Sequence, residues 1–216
     1  MISKGPGPPD RPTAIAPLGA VVLIAYAYVL CAVIVSTFLR PDYDFLSSPI
    51  SMYAIGPYGL LTTTALFVWG AASLVLAVGL YLGLAPRARS SVGLVLLAVF
   101  GVGLVVTSLI PMDVPYRPFH FTSTGAVHVF FASLSTACFP PAALLVAWSV
   151  RLDARWQAIH THLVRLAGAC FVVAPVVVFT GNFYLPVFGL VQKAYAVLAL
   201  SWLLLVANRL RLAAAG

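Results

Sequence analysis

The sequence predicts an all-α, polytopic membrane protein: a six-transmembrane-helix bundle with a short interfacial helix in its first outer loop. Three observations carry this reading. Hydrophobic residues fill 62% of 216 positions and charged residues 8%, more apolar surface than a soluble domain of this length can hide. The apolar residues gather into six runs, each near the roughly 20 residues that a hydrocarbon core requires. The gaps between the runs are short except for the first, residues 40–59, which interrupts the apolar pattern with polar groups and turn signals.

Taken in order, residues 1–13 are polar and rich in Pro and Gly, and predict a disordered tail. Residues 14–210 predict a single six-helix transmembrane domain with no inserted soluble domain. Its first run, 14–39, is longer than a signal-peptide core and lacks a small-x-small cleavage site, so it reads as a retained helix. Next comes RPDYDFLSSPISMYAIGPYG, with Asp42 and Asp44 among the five acidic residues of the chain. Ser48 suits an N-cap, Pro49 the first helical position, and Gly56-Pro57 a stop. Between them Ile50, Tyr53, Ala54 and Pro57 follow helical spacing, which predicts a short helix over 48–55 lying across the mouth of the bundle.

The remaining runs are 57–84, 91–111, 122–150, 161–181 and 187–208. Gly79, Gly83, Gly93, Gly101 and Gly103 permit close helix approach. Pro140, Pro141 and Pro175 bend their helices and free carbonyls for other partners.

Charge orients the bundle. Lys4, Arg11, Arg87, Arg89, Arg151, Arg155, Arg165, Arg209 and Arg211 fall on one side, and Arg40, Arg117 and Lys193 on the other, nine against three of the 12 basic residues. The basic side is cytoplasmic by the positive-inside rule, which places both termini inside a cell membrane. The net charge of +7 then reflects topology rather than a nucleic-acid partner. Cys31, Cys138 and Cys170 all lie in apolar runs without a C-x-x-C pair, as reduced packing residues do.

Polar groups cluster on the predicted outer side. The binding-pocket candidates are Asp44, Ser48, Ser51, Asp113, His120, His128, Gln192 and Lys193. Lys193 lies about seven residues into the last run, where an ionisable group is costly and marks a functional or paired site. Asp113 is its expected partner and Asp44 the second choice, with His128 nearby. The plainer readings are that Lys193 snorkels to the interface, that Asp42 and Arg117 are solvated loop charges, and that His128 is bonded to a hydroxyl or carbonyl. No cofactor is predicted. Zinc at Asp113, His120 and His128 is a minor alternative, because no His-x-x-x-His pair exists. His160 and His162, at the opposite end, match neither zinc nor haem geometry with these groups.

The order DYDFLSSPISMYAIGPYG, Pro111-Met112-Asp113, His128 and Gly189-Leu190-Val191-Gln192-Lys193 resembles the six-helix bacterial and archaeal membrane proteins of domain-of-unknown-function family 998. The resemblance implies the fold and the choice of residues, with an arginine where Lys193 stands, and supplies no reaction. The leading function class is binding or transport of a lipid or small molecule in an outward-facing pocket, with membrane lipids as partners. An intramembrane lipid-modifying enzyme, which would need Ser48 or Ser51 beside His128 or a bound metal, is one alternative. A structural subunit packed against another membrane protein is the other.

Overall fold

Apolar side chains on every face leave the backbone no outside partner in lipid, so each run closes its hydrogen bonds within itself as a helix. The computed structural model describes residues 15–114, 116–117 and 119–215, and the expected tail, 1–13, lies outside the described residues. The helices are α1 (Ile15–Leu39), α2 (Gly59–Gly83), α3 (Ser91–Leu109), α4 (Ser123–Val150), α5 (Gln157–Asn182) and α6 (Phe188–Ala215). All six are long and apolar enough to cross a membrane, and no strand occurs among the described residues. This is a multi-pass membrane protein.

Two helix starts follow local capping chemistry. The Ser90 hydroxyl accepts from the Gly93 N–H at 3.1 Å before α3, and Thr122 Oγ1 accepts from Gly125 N–H at 3.1 Å before α4. The fifth helix begins earlier than its apolar run. A 3₁₀ turn, Ala154–Trp156, feeds straight into Gln157, and the polar residues up to His162 continue the helix beyond the apolar stretch.

The segment expected as a helix over 48–55 is a five-residue 3₁₀ helix, Ile50–Ala54. No side chain caps it, and Pro49 ahead of it is extended. The reason is tertiary. The Ile50 N–H is given to the Gln192 side chain at 2.6 Å, and Gly56 at φ 77 ends the turn after one short cycle. Ile50, Met52 and Tyr53 are buried, and the segment packs on α1, α2 and α6.

The helices pack in sequence order around a ring that α6 closes against α1, while α2 and α6 also touch. The core carries an aromatic spine. Trp69 meets Phe100 at 6.0 Å, Phe100 meets Phe139 at 4.9 Å, and Phe139 meets Trp202 edge-on at 5.8 Å. Pro140 deprives the Thr136 carbonyl of its helical donor, and the Tyr195 hydroxyl takes that place at 3.0 Å. The loops after α1, α3 and α5 gather at one end of the ring, here the α1–α2 end. At the other end Arg155 pairs with Asp153 at 2.6 Å and donates to the carbonyls of Gly83 and Ala213.

The α2–α3 seam depends on a backbone crossing. A Cβ on Gly70 would stand 2.5 Å from the Gly101 carbonyl oxygen, with no flexible atom to yield. Gly70→Ala is therefore expected to lower stability by about 1–3 kcal/mol, the usual cost of overpacking. Gly168→Ala, inside α5 where nothing lies within 4 Å, is expected not to destabilise and to gain up to about 1 kcal/mol from helix propensity. Thermal unfolding of both variants in one detergent checks the contrast.

Candidate functional site

The site is built where the 40–58 loop meets the first turn of α6. Four hydrogen bonds dock it. Leu190 N–H donates to Leu46 O at 2.8 Å, Ile50 N–H donates to Gln192 Oε1 at 2.6 Å, and Lys193 Nζ donates to Phe45 O at 2.9 Å and Ser48 O at 2.7 Å. Gly189 O adds a longer contact at 3.5 Å. The ammonium also lies 4.8 Å from the Phe45 ring centroid and 5.2 Å from that of Tyr53, within cation–π range. Gly189 is a spatial necessity here, since its Cβ would stand 2.3 Å from Ser48 O.

A second cation ties the loop to itself. Arg40 makes a bidentate pair with Asp42, at 2.8 and 2.6 Å, and donates to Ile55 O and to Pro57 O. Its guanidinium stacks 4.2 Å over the Tyr43 ring. The Arg40 hydrogen bonds hold the Asp42 carboxyl below the usual carboxylate range, and the same pairing raises Arg40. Asp44 makes its hydrogen bonds within the loop and feels Lys193 through charge alone. Its Oδ1 accepts from the N–H groups of Leu46 and Ser47 and from the Ser47 hydroxyl, and the Ser47 bonds hold the Asp44 carboxyl low.

Beneath the docked loop lies His128, 4% exposed. Its Nδ1 is 2.6 Å from Ile110 O, and a carbonyl can only accept, so Nδ1 carries a proton. In the neutral ring Nε2 is then a bare acceptor, and it is buried with no protein partner among the described residues. His128, Ser51 and Met112 line two cavities together. One, of about 240 Å³, lies between α2, α3 and α4 under the 3₁₀ helix. The other, of about 60 Å³, lies between α4, α5 and α6, with Gln192 and Asn182 on its walls. That smaller space exceeds the roughly 10–15 Å³ that one water needs.

The predicted site residues therefore separate into two groups. Ser51, His128 and Gln192 line the cavities, while Ser48 and Lys193 hold the roof above them. Asp113, Asp44 and His120 do not join them. The expected pairing of Lys193 with Asp113 or Asp44 does not form, since the ion pairs among the described residues are Arg40 with Asp42 and Arg155 with Asp153. Asp113 instead accepts from Thr122 N–H at 2.8 Å and Thr122 Oγ1 at 2.7 Å, at the start of α4. His120 is exposed. Among the described residues no three His, Cys, Asp or Glu side chains gather as a metal would require. Ser51 Oγ donates to Met112 Sδ at 3.1 Å, and the Ser48 carbonyl accepts from Lys193. Arg40 escaped sequence reasoning, which treated Asp42 as a solvated charge. The signal was there in the Arg-x-Asp spacing at a loop entrance.

Residues 20–209 match the family model described as protein of unknown function (DUF998). The chain belongs to this family. The DUF998 match takes in the 40–58 loop, His128 and the docking turn at 189–193. No curated protein and no solved structure matches the chain.

Two outcomes follow from this geometry. Lys193→Met is expected to undock the loop, with faster amide exchange at Ser48 and Ile50 and a loss of about 1–3 kcal/mol from stranded carbonyls. Because Asp113 serves α4 and not Lys193, adding Asp113→Asn is expected to give additive losses in a double-mutant cycle. The acidic pair sets a pH window. A carboxyl lowered in the folded state stabilises fully above its unfolded value, about 3.9, and loses that contribution as pH falls through the lower folded value. Loop protection is thus expected to hold from pH 7 to about 4 and to fail only below that, with Asp42→Asn flattening the acid limb. Exchange mass spectrometry across pH reads it directly.

Proposed function

We propose that this protein binds a lipid or small molecule in a pocket roofed by the 40–58 loop, at the external face of the cell membrane. The observation that carries the reading is His128 Nε2. An acceptor buried without a partner costs about 1–3 kcal/mol, and it stands on the wall shared by two cavities. A ligand hydroxyl or amine would relieve that cost. Ser51, Gln192 and Thr136 add polar groups to otherwise apolar walls, the composition of small-molecule sites in general. Rigid docking of the roof by Lys193 and Gln192 favours a preformed site, which lowers the ordering cost of binding.

The orientation belongs to the same reading. Among the described residues seven basic side chains, Arg87, Arg89, Arg151, Arg155, Arg165, Arg209 and Arg211, belong to the end opposite the α1–α2 end, against Arg40, Arg117 and Lys193, so the loops of the α1–α2 end face outward. Reporter fusions after Ser90 and after Gly216 are expected to read as cytoplasmic, and an external reading at Gly216 overturns the orientation.

The binding test is native mass spectrometry of protein released from its own membranes. The wild type is expected to carry a defined small ligand, and His128→Phe to reduce its occupancy about tenfold, the equivalent of one buried hydrogen bond. A wild type without ligand, or unchanged occupancy in a folded His128→Phe protein, would overturn the reading.

A further inference from the structure

A third cavity extends the site along the α4–α5 seam. It is an apolar groove of about 460 Å³, inside the size range of ligand pockets, with Pro140 and Pro141 on one wall and Phe171 and Pro175 on the other. It adjoins the smaller His128 cavity, since Val178 and Asn182 line both. Along the seam, polarity is ordered. His128, Gln192 and Asn182 lie towards the α1–α2 end, and the groove below runs through Phe, Pro, Ala and Val to the level of Pro140. Lipids of the surrounding leaflet have the same order, head at the loop end and chain towards the midplane.

Charge narrows the class further. Among the described residues neither lining contains Asp, Glu, Lys or Arg. Lys193 spends its hydrogen bonds on the loop carbonyls, and Arg40 on Asp42 and the loop. A phosphate head in this space would be desolvated without a cation, a cost that the burial of a charge makes large. An uncharged head with a hydroxyl meets none of this, and its O–H can donate to His128 Nε2.

We propose that the ligand is an uncharged, hydroxyl-bearing lipid, such as a monoacylglycerol or long-chain alcohol, whose acyl chain lies in the α4–α5 groove and whose head reaches His128. The inference rests on the pocket reading above and adds the ligand class and the seat of its chain. The chain enters sideways from the leaflet, since the groove opens on the flank of the bundle and Phe171, Phe179 and Phe183 along it are exposed.

The test uses the full chain in phosphatidylcholine nanodiscs with two probes of equal chain length, monooleoylglycerol and oleoyl-lysophosphatidic acid, and reads retention by native mass spectrometry. Variants are His128→Phe, Ala137→Trp and Val178→Trp. Ala137 is exposed on the groove wall, so its bulk need not enter the core, and Val178 blocks the join from the other helix. Monooleoylglycerol is expected to bind the wild type at least tenfold better than the lysophosphatidic acid, and to lose at least tenfold in all three variants. Loss in His128→Phe with retention in both tryptophan variants overturns the groove and leaves the pocket standing. Retention in folded His128→Phe overturns the pocket and the inference with it. Equal binding of the two lipids overturns the uncharged class alone.

Discussion

The architecture of the α1–α2 end depends on one ammonium group. Lys193 enters the structure at membrane depth, where an unpaired charge is costly, and is solvated by backbone carbonyls rather than by an anion. Carbonyl oxygens can meet an ammonium singly from several directions, and its three donors suit three such oxygens. Because two of those carbonyls, Phe45 and Ser48, belong to the loop, solvating the lysine and seating the loop are one event. The roof, the cavities below it and the burial of His128 all follow from that seat.

Arg40 repeats the device within the loop, and Arg155 at the opposite end donates to Gly83 and Ala213 carbonyls. Arg87, Arg89 and Arg209 do the same for the carbonyls of Leu152, Leu84 and Arg155, so cations act as fasteners for loops and helix ends. This explains how a chain that carries so few charges can fold long turns against an apolar bundle. Each helix end exposes carbonyls without intrahelical donors, and a long basic side chain can reach several at once. Carboxylates do the complementary work, with Asp44 and Asp113 accepting from exposed N–H groups.

Much of the fold was legible in the sequence, because lipid imposes a length and a polarity that a reader can count. The six runs became six helices, and the turn at Gly56 fell where Gly-Pro placed a stop. Of the site, His128, Ser51 and Gln192 were legible as polar residues out of place. The partner of Lys193 was not. Sequence displays side-chain charges, so Asp113 and Asp44 stood out, while the carbonyls that won belong to every residue and leave no mark. The short helix came out as one 3₁₀ turn, Ile50–Ala54, rather than the span 48–55, for a related reason. Its cap and stop signals are local, but Gln192, 142 positions away, takes the first N–H of the turn.

That separation also sets an order of events in time. Ser48 leaves the ribosome 145 residues before the lysine that holds its carbonyl. At synthesis rates of about 5–20 residues per second, the interval is roughly 7–30 s. Throughout it the 40–58 segment has no seat on α6, and Ile50, Met52 and Tyr53 have only part of their final surroundings. The first loop to emerge is therefore among the last parts to mature, and a newborn chain must be kept from other strands and helices until its final helix arrives.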